Sequence, residues 1–192
     1  MSQLELEGQV RLSQSSVSII GCGGLGCLIA LYLAGAGVGR IELIDDDTVE
    51  LSNLHRQIAF KGTELGIPKA EALANNCRQL NDTIEIIASE RRFGIDGVAD
   101  HASVTASDLI VDASDSAVTR MVIERLTRSL GKPWVMASAA QLAGQWVAFD
   151  ADRAIASRLH AMWTLDGIGA VESTLLGGLV GDGDPIIREH AA

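Results

Sequence analysis

Apolar positions along the chain fall into short runs separated by longer stretches of mixed character. The run VSII at 17–20 is β-branched and ends at a glycine, which predicts a short buried strand. RIELID at 40–45 alternates apolar and polar residues and predicts a second strand. TIEIIA (83–88), DLIVDAS (108–114), PWVMAS (133–138) and GQWVAFD (144–150) extend the series. Between them the period changes. LGCLIALYLAGAG at 25–37 is apolar nearly all round and predicts a buried helix. PKAEALANNCRQLN at 68–81 opens on Pro68, whose missing N–H costs nothing at a helix start. SAVTRMVIERLTRSLG at 116–131 has helical periodicity and ends on glycine. Strands alternating with helices predict an α/β fold: a Rossmann-like, doubly wound, mostly parallel sheet with helices on both faces. Beyond Asp150 the pattern dissolves into turn signals such as LLGGLVGDGDP.

Residues 15–39 carry no charge, and the run is long enough to cross a bilayer. Gly21, Gly23, Gly24 and Gly26 interrupt it, and no cluster of lysine and arginine flanks it. A buried strand, a tight turn and a buried helix account for the same residues. The chain has 192 residues and a formal net charge of -10, which argues against general nucleic-acid or anionic-membrane partners. Its three cysteines, Cys22, Cys27 and Cys77, are unevenly spaced and follow no signal peptide, so the expected setting is reduced and cytoplasmic. All three read as structural. Trp134 and Trp146 read as core or dimer contacts, and His55 as positional.

GCGGLG at 21–26 matches G-x-G-x-x-G between a predicted strand and a predicted helix. Glycine there lets the backbone approach a phosphate, and the helix start offers free N–H groups and the positive dipole end. A tight, closely packed turn needs the same residues. Asp45 ends the second strand nineteen positions after Gly26, where an acidic side chain accepts hydrogen bonds from ribose hydroxyls. Aspartate is also a common turn residue, and Asp46 and Asp47 read as solvated or turn-capping beside it. A dinucleotide pyrophosphate can be held largely by backbone N–H groups, whereas a triphosphate calls for cations. Arg56 and Lys69 both follow strand carboxyl ends and favour the triphosphate, although each also reads as an ordinary surface cation. Asp112 and Asp115, at the end of the fourth strand, are candidates for Mg²⁺ on phosphate oxygens. The competing reading makes Asp115 the N-cap of the next helix.

Taken together, GCGGLG, LIDDDTVELSNLHRQ, GIPKAE, DLIVDASD and ASAAQLAGQ resemble, in order and spacing, the ubiquitin-activating-like adenylyltransferases of the ThiF/MoeB/HesA group. The resemblance spans about Leu4 to Asp150. It implies residues 1–150 as an ATP-binding adenylation domain and 151–192 as a shortened extension of it. It further implies ATP and Mg²⁺, with adenylation of the C-terminal glycine of a ubiquitin-like sulfur carrier ending in Gly-Gly, in thiamine- or molybdenum-cofactor-type sulfur transfer. The implied nucleotide contacts are Gly21, Gly23, Gly24, Gly26, Asp45, Asp47, Asn53, Arg56, Lys69 and Asp115. Arg56, Lys69 and Asp115 take the catalytic roles, and Asp115 the metal. A homodimer is implied as well. The chain departs from the group in several places, among them the lack of any cysteine after Cys77, where a thioester- or persulfide-forming one is often found. It opens MSQLELEGQVRL in place of an arginine-bearing segment. It reads DRAIASRLHAMW where two C-x-x-C pairs often bind zinc, so no zinc is expected. It has SDS where TDN is usual. A degenerate nucleotide-binding or scaffold subunit is the alternative to an active enzyme.

Overall fold

A computed structural model describes residues 3–140 and 143–149. Thirteen residues of uncharged sequence become helix α2, Gly24–Ala36, directly after strand β1, Ser16–Ile20. The glycine turn between them divides the run that could have been mistaken for a membrane span. Among the described residues no helix is long and apolar enough to cross a membrane. Strand β2, Arg40–Asp45, follows, then helix α3, Lys69–Leu80, and strand β3, Glu85–Glu90. Helix α4, Gly97–Ala106, leads to strand β4, Leu109–Asp112, helix α5, Ala117–Leu130, and the hairpin β5, Trp134–Ala140, with β6, Ala143–Phe149. A further helix, α1, Gln3–Gln14, precedes them all.

The six strands lie in the order β3-β2-β1-β4-β5-β6. Pairings from β3 through β5 are parallel, and β6 alone runs antiparallel to its neighbour. The order reverses between β1 and β4, the place where such sheets open a crevice at their carboxyl ends. Alternating side chains feed two cores, as a pleated strand covered on both faces requires. Ile19, Leu43 and Val111 pack with Ala30, Ala34 and Leu73 of α2 and α3. Their chain neighbours Ile20, Ile44 and Ile110 face the other way, onto Val104 and Ile123 of α4 and α5. Trp134 closes that second core by stacking on Phe149, centroids 4.1 Å apart.

Several boundaries differ from the sequence reading for local reasons. β3 starts two residues late because Asn81 Oδ1 accepts from both the N–H and the hydroxyl of Thr83, which commits Thr83 to a turn. β4 stops at Asp112 because that carboxylate accepts from the N–H and hydroxyl of Ser114. α2 is not buried all round: Cys27, Ala30 and Ala34 form its covered stripe, while Tyr32 is exposed. Trp146 is 75% exposed on β6 and is no core residue. Residues 151–192, including the proposed extension and the segment considered for zinc, lie outside the described residues.

Candidate functional site

The carboxyl ends of β1, β2, β3 and β4 surround a cleft of about 710 Å³. Its floor is the turn between β1 and α2. Gly21 has φ +92°, and a Cβ there would meet the backbone of Ala113 and Ser114 at 2.9 Å. Two demands therefore fix glycine at this position: the left-handed backbone and the crossing of the β4 turn. Gly26 serves packing, not the cleft. It is buried behind the turn, where a Cβ would lie 1.8 Å from the carbonyl oxygen of Gly21. Gly23 and Gly24 differ again. A Cβ on either would meet nothing nearer than 3.7 Å, so no protein atom excludes a side chain there. What their bareness leaves is room in the cleft, at the first residues of α2, where free N–H groups and the helix dipole favour an anion.

Asp45 ties this turn to the next strand. One carboxylate oxygen accepts from the Cys22 N–H at 2.6 Å, the other from the Asp47 N–H at 2.8 Å. Burial raises the carboxyl above its ordinary range, against the opposing pull of those two amides. Each oxygen retains a lone pair for a further donor. Cys22 itself is fully buried, and burial followed by the Asp45 charge pushes its thiol well above its ordinary value. A thiol so held is not a nucleophile.

The excursion from Asp46 to Pro68 forms one wall and is fastened at its base. The Val49 N–H donates to Ile67 O at 2.8 Å and the Lys69 N–H to Asp47 O at 2.8 Å. Lys69, expected as an exposed first-turn lysine if it were bland, is 6% exposed. Its Nζ lies 2.7 Å from Asp47 Oδ2, so Asp47 is neither free nor merely solvated but holds the lysine at the cleft. Further along, Gln57 N–H bonds Asn53 O at 3.0 Å, a helical i,i+4 turn that places the two side chains on one face. Both side chains are buried and line the cleft, and Asn53 Oδ1 and Gln57 Oε1 have no hydrogen-bond partner. Buried, unpaired carbonyl oxygens cost about 1–3 kcal/mol each, a cost that a ligand supplying donors would remove. Gln57 closes the LIDDDTVELSNLHRQ motif but has no role of its own in the sequence reading. Arg56 is exposed at the rim, where Nη1 makes two long contacts, 3.3 Å to Ser52 O and 3.5 Å to His55 Nε2.

Opposite, the β4–α5 turn separates two aspartates that the sequence could not. Asp112 is fully buried and pairs with Arg120 Nε at 2.7 Å. With Ser114 on its other oxygen, it has no freedom to bind a metal. Asp115 is exposed and lines the cleft. It is not the helix cap: Ser116 accepts the Thr119 N–H at 3.2 Å and does that work. Arg91, Arg92 and Phe93 complete the lining at the end of β3. Sequence reasoning passed over all three, because only the fold brings the end of β3 alongside the glycine turn. The site thus gathers every candidate except Gly26 and Asp112, and adds two arginines to the two cations expected.

Comparison with known proteins matches residues 1–164 to the model of the ThiF family. The chain is 40% identical over 150 residues to the adenylyltransferase and sulfurtransferase MOCS3 of Aedes aegypti, covering 78% of this chain and 34% of that protein. It is 41% identical over 145 residues to the sulfur carrier protein ThiS adenylyltransferase of Escherichia coli K12, covering 76% of this chain and 57% of that one. Among solved structures, E. coli MccB with ATP superposes at a TM-score of 0.60 with 30% identity, over 68% of this chain and 38% of MccB. The chain therefore spans from about a third to just over half the length of these curated relatives.

Proposed function

The chain belongs to the ThiF family, and on that premise we propose that its cleft binds ATP with Mg²⁺ and adenylates the C-terminal glycine carboxylate of a ubiquitin-like sulfur carrier. A carboxylate oxygen attacks the α-phosphorus, the bond to the bridging oxygen breaks, and pyrophosphate leaves with that electron pair. The product is an acyl adenylate. The single observation carrying this reading is the composition of the cleft: bare glycines at a helix start, with Arg56, Lys69 and the uncommitted carboxylate of Asp115 around them.

The anionic triphosphate occupies the space above Gly23 and Gly24. Asp45 accepts from the ribose hydroxyls with the lone pairs left by its two backbone partners. Lys69, already oriented by Asp47, and Arg56, barely restrained at the rim, offset charge on the phosphates. Charge stabilisation of this kind is the main source of rate in phosphoryl transfer, because the protein has little covalent work to do. Asp115 is the carboxylate available for Mg²⁺, since Ser116 has relieved it of capping and Asp112 is spent on Arg120. The unpaired oxygens of Asn53 and Gln57 suit ligands with donors, such as hydroxyls or metal-bound water, better than bare phosphate oxygens. Mg²⁺ bound to the phosphates supplies further charge neutralisation there. A nicotinamide dinucleotide would leave Arg56 and Lys69 without a role. A homodimer is the proposed assembly.

Equilibrium binding decides between nucleotides. ATP·Mg²⁺ is expected to bind, and Arg56→Ala to weaken it about tenfold or more, the loss of one charge-assisted contact. Binding of NAD in place of ATP would overturn the proposal.

A further inference from the structure

The end of the cleft at β3 carries cations that the reading above leaves without a task. Neighbouring strand ends along a sheet edge lie about 4.8 Å apart. In the order β4, β1, β2, β3 the glycine turn follows β1, Asp45 ends β2, and Arg91 and Arg92 follow β3. A nucleotide with phosphates over β1 and ribose at Asp45 therefore carries its base toward β3. Arg91 is committed. It pairs with the fully buried Asp100, whose other oxygen accepts the Gly94 N–H at 2.8 Å. Its Nη2 donates to Ser103 Oγ at 2.8 Å, and Ser103 passes a bond of 3.0 Å to the buried Glu42. Its guanidinium also lies 5.6 Å from the centre of the Phe93 ring. The loop is thus clamped from β2 and from α4. Arg92 is the reverse: exposed, part of the cleft lining, and without a hydrogen bond or ion pair among the described residues. It stands two strands, roughly 10 Å, from the glycine turn, so it meets the base before the phosphates. Guanidinium is flat and delocalised, and packs on aromatic faces.

We propose that Arg92 contacts the purine base of the bound nucleotide by stacking its guanidinium on the ring, with the Arg91–Asp100 pair as the clamp that holds it at the cleft wall. This rests on the nucleotide reading above. Calorimetric titration of the whole chain with ATP·Mg²⁺ and, separately, with inorganic tripolyphosphate tests it. Arg92→Ala is expected to weaken ATP about five- to tenfold and to leave tripolyphosphate unchanged. Arg92→Lys, which keeps the charge and loses the flat face, is expected to recover little of the ATP affinity. Parallel weakening of both ligands, full recovery with lysine, or no change in ATP affinity would each overturn the proposal. If the wild-type chain binds tripolyphosphate and no ATP, the nucleotide reading itself fails, and this inference with it.

Discussion

Gly21 and Gly23 stand two residues apart in one turn and carry opposite obligations. Gly21 has a backbone that L-residues avoid and a β4 turn in the way of any Cβ. Gly21→Ala is expected to cost about 1–3 kcal/mol, read as a lower midpoint in urea unfolding. Gly23 has φ -76° and a nearest potential contact of 3.9 Å. Gly23→Ala is expected to keep the midpoint within about 0.5 kcal/mol and to weaken nucleotide binding instead. Equal destabilisation by both would contradict this division. Asp45 makes a different prediction, through pH. Burial lifts its folded pKa above the ordinary 3.8, so ionising it opposes folding. Its stabilising contribution is complete below the unfolded value and is lost as pH rises through the folded one. Asp45→Asn does not ionise. In the nucleotide-free protein its melting temperature should therefore rise relative to wild type as pH increases from below 3.8, and then level off. A difference that stays flat across that range would refute the assignment.

At the scale of elements, the β4–α5 junction decides what Asp115 is free to do. Arg120 on α5 reaches back to Asp112 at 2.7 Å and to Ser114 O at 3.0 Å, pinning the turn whose next residue is Asp115. Both partners of the ion pair are buried, so removing one strands the other. Arg120→Ala is expected to destabilise the fold by about 3–5 kcal/mol. Replacing both residues with apolar ones should cost much less, as a double-mutant cycle in urea would show. If the single change proves as mild as the double, the pair is not what holds the turn. The long β2–α3 excursion works by the same logic. Backbone bonds and the Lys69–Asp47 pair close its base, leaving Arg56 at its tip with little restraint.

Across the whole molecule, the features readable from sequence are those whose signals are local. The glycine turn sits between a β-branched run and an apolar helix, and Asp45 ends an alternating strand, so the ends of β1 and β2 follow from period and punctuation. α4 escapes because GVADHASVTA mixes glycine, serine and β-branched residues of modest helix propensity, and its one clear mark is the Asp96 cap. α1 escapes because it is mostly polar and offers no sharp apolar face. Arg91 and Arg92 are invisible as site residues for a topological reason: β3 lies two strands from β1 in space but nearly seventy residues away in sequence. Asp112 and Asp115 were indistinguishable because the partner that separates them, Arg120, arrives from the following helix. The sequence reading makes Asp115 the cap of a helix starting near Ser116; the helix starts one residue later, at Ala117, which makes Ser116 the cap. In a chain of net charge -10, the crevice brings Arg56, Lys69, Arg91 and Arg92 together with Asp45, Asp46, Asp47, Glu50 and Asp115, so the cleft offers separate contacts of both signs.

The central claim is that Arg56, Lys69 and Asp115 serve adenylation of a carrier carboxylate. ATP–pyrophosphate exchange tests it most directly, measured with candidate carriers ending in Gly-Gly. The account predicts exchange that requires carrier and Mg²⁺, falling at least about a hundredfold in Arg56→Ala and in Asp115→Ala. Tight ATP binding with no exchange under any carrier would contradict it and leave a nucleotide-binding scaffold in its place.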